Sequence, residues 1–92
     1  MTEIERLAAA KTFEGNLLKL AEEAGELIQA ISKYYEISNM ANRQHIIEEM
    51  VDVLICMDTV KVRLEISDAE MIDMRNHKMI RNMQRIGGTD DK

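Results

Sequence analysis

Apolar residues recur at every third or fourth position along most of the chain, and no proline interrupts them. From Phe13 to about Tyr35 they fall at Leu17, Leu20, Ala24, Leu27, Ile28, Ile31 and Tyr35, the spacing that lines one face of an α-helix. A second stripe runs through Ile47, Met50, Val51, Leu54, Met57, Val60 and Leu64. A third, through Met71, Met74, Ile80 and Met83, is less apolar and is expected to be the most exposed. Strands are disfavoured by the same inventory, because aromatic residues make up only 3% of the chain while eight methionines favour helix.

The breaks between stripes are short. Glu36 to Asn42 separates the first two and offers Ser38, Asn39 and Asn42 as N-caps. Ser67-Asp68-Ala69-Glu70 has capping-box spacing and starts the third helix. Gly87-Gly88 is expected to end it in the left-handed conformation, with residues 89–92 as a frayed tail. A short helix near Glu3 to Lys11 precedes the rest. These elements make one all-α domain over residues 1–88, an antiparallel helical hairpin with flanking helices. A chain of 92 residues buries little apolar surface alone, so a dimeric or tetrameric bundle is expected.

Charge and composition narrow the partners. Twelve Lys and Arg against 17 Asp and Glu leave a net charge of −5, which repels a phosphate backbone, and three aromatic residues build no stacking platform. Nucleic acid is therefore not expected as a ligand. The single cysteine, Cys56, lies in an apolar run and reads as a buried thiol in a reducing compartment. The acidic N-terminal segment does not resemble a signal peptide and no apolar run is long enough for a membrane span, so a cytoplasmic location is expected.

Two acidic segments interrupt the apolar stripes. They read Glu22-Glu23-Ala-Gly-Glu26 and Glu48-Glu49-Met-Val-Asp52. Asp52 is followed by five apolar residues, which places its flanks at least partly inward, where an unpaired carboxylate is costly. Glu23 and Glu26 are three positions apart, as are Glu49 and Asp52, so each pair leaves one helix face. Setting Glu23 opposite Asp52 and Glu26 opposite Glu49 implies one hairpin centre, between residues 37 and 38, within the expected break. Four carboxylates then converge at one level, and a divalent cation relieves their repulsion. Oxygen donors suit Mg²⁺, with Mn²⁺ as an alternative. A di-iron bundle would need Glu-x-x-His on two helices, and neither His45 nor His77 has Glu three positions earlier. The competing reading is an ion-paired or partly exposed acidic face.

At these residues the chain resembles the MazG-like all-α nucleoside triphosphate pyrophosphohydrolase superfamily, whose hallmark is EExxE on one helix and ExxD on the next. The resemblance covers about residues 13–86. It implies cleavage of a (deoxy)nucleoside triphosphate between the α and β phosphates, giving the monophosphate and pyrophosphate. It further implies Mg²⁺ held by Glu23, Glu26, Glu49 and Asp52, with Glu22 outside the metal shell or, with Glu23, a candidate base for the attacking water. Lys78, Asn82 and Arg85, with Arg81 as a weaker candidate, resemble the superfamily's basic segment after ExxD and would bind phosphates. Lys19, one turn before Glu23, is either a further phosphate ligand or a simple ion-pair partner. Phe13, Asn16, Tyr34 and Tyr35 are the candidates for base contacts, although aromatic residues at helical spacing more often serve as core. Alternatives are a non-catalytic nucleotide- or protein-binding module of the same fold and a phosphoribosyl-ATP pyrophosphohydrolase.

Overall fold

The computed structural model describes residues 1–87 and contains four helices: α1 (Glu3–Ala9), α2 (Phe13–Glu36), α3 (Met40–Leu64) and α4 (Asp68–Ile86). Each begins on a side chain that accepts from the helix's own orphan amides. Thr2 with Glu5, and Ser67 with Glu70, form complete capping boxes. Thr12 Oγ1 accepts from Gly15 N at 3.0 Å, and Asn39 Oδ1 accepts from Asn42 N at 2.8 Å. Asn42 is used twice, since its Nδ2 also donates to Ile37 O at 2.9 Å and ties the turn to the helix that follows.

The three-residue turn at 37–39 folds α3 back along α2, and this antiparallel pair is the main packing unit. Helix α1 lies against α3. Its end is anchored by polar bonds: Asn16 Nδ2 donates to Ala8 O at 3.0 Å, and Arg63 Nη2 donates to Ala8 O at 2.9 Å and to Lys11 O. Asn16 thus spends its amide on the backbone of α1, and Tyr35, at 88% exposure, stands in solvent.

Among the described residues, the end of α3 is the one place where a non-glycine backbone takes a positive φ. Glu65 takes a left-handed conformation (φ 54°, ψ 39°), and Ile66 N bonds back to Lys61 O at 2.9 Å, closing the helix before α4 begins. Gly87, expected in that conformation, is right-handed (φ −63°) and bonds to Met83 O at 2.9 Å, because α4 simply continues its turn there. Gly88 and the tail at 89–92 lie outside the described residues.

The interior is thin. Buried positions are Ala8, Ala30, Cys56 and Val60 among apolar residues, and Asn16, Glu23, Glu49 and Thr59 among polar ones. Met50, Val51, Leu54 and Leu64 of the second stripe are exposed, as are Ile28 and Ile31 of the first. Helix α4 buries no residue, in line with its weaker stripe. A radius of gyration of 16.7 Å, against about 12 Å for a compact domain of this length, reflects the same open arrangement. No helix among the described residues is long and apolar enough to cross a membrane.

The caps carry a measurable share of this fold. Asn39→Ala is expected to cost about 1 kcal/mol. In urea titrations at fixed protein concentration it lowers the unfolding midpoint and leaves the denaturant slope unchanged.

A candidate metal centre between two helices

Helix α2 presents Glu22, Glu23 and Glu26, and α3 presents Glu49 and Asp52. Carboxylate oxygens of Glu22, Glu23 and Glu26 lie within 4.8 Å of one another, and so do those of Glu23, Glu49 and Asp52. Glu23 belongs to both groups and joins them. The three-residue spacing within each helix and the position of the turn bring Glu49 and Asp52 of α3 to Glu23, and leave Glu26 near enough to Glu49 to feel its charge.

Burial divides them. Glu23 and Glu49 face the helix pair, with 6% and 8% exposure, whereas Glu26 and Asp52 are exposed. For Asp52 this corrects the expectation from its apolar flanks. Of its apolar flanks, Val53 is half-buried and Cys56 buried, but Val51, Leu54 and Ile55 are themselves exposed among the described residues.

The charges are partly compensated. Lys19 Nζ lies 3.1 Å from both Glu22 Oε1 and Glu23 Oε2, and these carboxylates, Glu23 first, raise the ammonium's pKa. Its part as an ion-pair partner is therefore met in the structure. His45 Nε2 lies 3.3 Å from Glu49 Oε2, one helical turn away. The other oxygen, Glu49 Oε1, is buried and has no hydrogen-bond partner. Glu26 is held above its ordinary range, chiefly by the charge of Glu23, then by desolvation and by Glu49 and Glu22.

A cavity of about 250 Å³ opens beside the cluster. Glu23 and Asp52 line its acidic side, Lys11 and Lys19 supply positive charge, and Leu7, Asn16, Ile55, Cys56 and Thr59 complete the wall. Burial, followed by the charge of Glu23, pushes the Cys56 thiol up, so it acts as an un-ionised wall group. Lys78, Arg81, Asn82 and Arg85 are exposed on α4, and none is hydrogen-bonded or ion-paired to the carboxylates. One chain therefore assembles the acidic cluster and Lys19 but leaves the α4 residues apart from them.

Two participants were not legible beforehand as neighbours of the site. Lys11 sits in the connection between α1 and α2, where no periodicity points to it. His45 carried a signal, its four-residue spacing from Glu49, which pairs side chains on a helix face.

A family model of the MazG nucleotide pyrophosphohydrolase domain matches residues 11–85. The chain belongs to this family. Comparison with curated proteins and with solved structures returns no match. The matched span contains α2, α3 and nearly all of α4, and so every carboxylate of the cluster.

The residues of this MazG domain fit a hard divalent cation. The donors are all oxygens, the negative charges outnumber the nearby cations, and a buried oxygen of Glu49 lacks any other partner. Repulsion within the cluster also gives a stability signature. A carboxyl whose folded pKa is raised keeps its proton in the folded chain, so its stabilisation is present below the ordinary value of 4.5 and is lost as pH rises through the raised value. Thermal melts in chelator should therefore show stability falling from the acidic side toward neutrality. Glu26→Gln, which cannot ionise, should flatten that fall and melt above the unsubstituted protein at neutral pH.

Proposed function

We propose that this MazG domain is a Mg²⁺-dependent, cytoplasmic pyrophosphohydrolase that cleaves a (deoxy)nucleoside triphosphate between its α and β phosphates. The observation that carries the reading is the pair of carboxylate groups that share Glu23, one reaching Glu26 on α2 and the other Glu49 and Asp52 on α3, with the unpartnered Glu49 oxygen among them. Glu23, Glu26, Glu49 and Asp52 hold the cation, with Mn²⁺ as a substitute. When bound, the cation neutralises charge on the phosphates and acidifies the attacking water.

The chain's own residues do the rest. Water attacks one phosphorus of the α–β anhydride, its oxygen stays with that phosphorus, and the bond to the bridging oxygen breaks to give the monophosphate and pyrophosphate. Glu22 and Glu23 are the candidate bases for the water proton. Lys19 stands at the junction of cluster and cavity, where it can exchange its carboxylate partners for a phosphate. Lys78, Asn82 and Arg85 serve the phosphate chain once α4 lies across a cluster, either its own or that of a second copy. Leu7 and Ile55 give the cavity an apolar surface suited to the nucleoside.

The active unit is a homodimer or a dimer of dimers. Its support is the apolar surface left open on α2, α3 and α4, with Ile28, Ile31, Met50, Leu54, Met74 and Ile80 all exposed in a single chain. Sedimentation should give a species heavier than one chain.

Incubation with Mg²⁺ and a panel of nucleoside and deoxynucleoside triphosphates should release monophosphate and pyrophosphate from at least one substrate. Glu49→Gln and Asp52→Asn should each lower that rate by more than the roughly 10–100-fold that follows loss of a group outside the metal shell. Release of orthophosphate alone would contradict the reading.

A further inference from the structure

Glu49 is one of the two buried carboxylates of the cluster. It is buried between α2 and α3 with 8% exposure, yet its three side-chain torsions leave its two oxygens interchangeable unless something distinguishes them. His45 distinguishes them. It lies one turn earlier on α3, its Nε2 is 3.3 Å from Glu49 Oε2, and Oε1 is left buried without a partner. A buried carboxylate oxygen with no donor is costly, whereas one aimed at a cation is satisfied by it.

We infer that His45 is a positioning residue for the metal centre. Its Nε2–H donates to Glu49 Oε2, fixes the rotation of that carboxylate, and thereby directs Oε1 at the divalent cation. A small rotation of either side chain turns the 3.3 Å contact into a full hydrogen bond. The arrangement reverses the common one in which a histidine ligates the metal and a carboxylate orients it: here the carboxylate is the ligand and the imidazole stands behind. Glu23 has a comparable anchor in Lys19, so each helix contributes one buried carboxylate contacted by a side chain one turn earlier. Lys19 also faces the cavity and can leave for a phosphate, but His45 has no such alternative partner in the structure and stays with Glu49.

The inference rests on the reading of the cluster as a metal centre, and one set of measurements separates the two. Calorimetric titration of Mn²⁺ without nucleotide, in mildly alkaline buffer, reads metal affinity apart from turnover. His45→Ala should weaken Mn²⁺ binding about tenfold or more, while His45→Gln, which keeps an N–H donor at the same spacing, should return to within about threefold of the unsubstituted protein. Circular dichroism in chelator should show the same helix content for all three. In the unsubstituted protein saturated with Mg²⁺, nitrogen NMR of the imidazole should find the proton on Nε2, a test that needs no variant to fold. Unchanged affinity in His45→Ala, failure of His45→Gln to restore it, or an unprotonated Nε2 would each overturn the role of His45 and leave the metal centre standing. Failure of the unsubstituted protein to bind Mn²⁺ would overturn the metal centre and this inference together.

Discussion

Mutual repulsion among carboxylates held between two helices is the constraint on which the rest of the molecule turns. Glu23 and Glu49 are buried where a helix pair of this kind would ordinarily place apolar contacts, the exposed Glu26 and Asp52 lie beside them, and like charges so close are unfavourable. The protein offsets part of the cost with Lys19 on Glu22 and Glu23, part with His45 beside Glu49, and part by holding a proton on Glu26 more tightly than usual. Glu49 Oε1 has no hydrogen-bond partner among the described residues. A divalent cation would satisfy that oxygen and relieve the repulsion in one step.

The same constraint shapes the packing. With Glu23 and Glu49 occupying buried positions, along with Asn16 and Thr59, the α2–α3 pair has few places left for large apolar side chains. Its burial falls on small residues such as Ala30 and Cys56, which let the helices approach but contribute little hydrophobic stabilisation. Larger residues stand on the outer faces instead. An interior that gives several of its buried positions to polar and charged groups leaves apolar surface exposed on the single chain, and the proposed association of chains rests on that surface. The exposure of Asp52 belongs to the same pattern, because Val51, Leu54 and Ile55 around it are exposed as well.

Much of this was legible in the amino-acid sequence, for identifiable reasons. Helix boundaries followed from local chemistry: Asn39 and Ser67 cap because their side chains reach amides within their own turn, and that geometry needs no tertiary information. The meeting of Glu23 with Asp52 and of Glu26 with Glu49 followed from helical spacing and the place of the turn. Burial was harder to read. The flanks of Asp52 are apolar, but apolar neighbours show only that a face is to be covered, not that this chain covers it. Gly87 illustrates a different gap, since a glycine permits the left-handed conformation without requiring it, whereas Glu65 adopts it at the end of α3. Lys11 depended on how α1 folds back, a matter settled by Arg63 and Asn16 bonding to Ala8 across long stretches of chain.

The most direct test is crystallographic. Anomalous diffraction from crystals of the protein grown with Mn²⁺ locates the ion without reference to activity. A peak between α2 and α3, with oxygens of Glu23, Glu26, Glu49 and Asp52 at coordination distance, is the predicted result. A peak elsewhere, or none at the cluster in crystals that diffract well enough to show the four carboxylates, would contradict it.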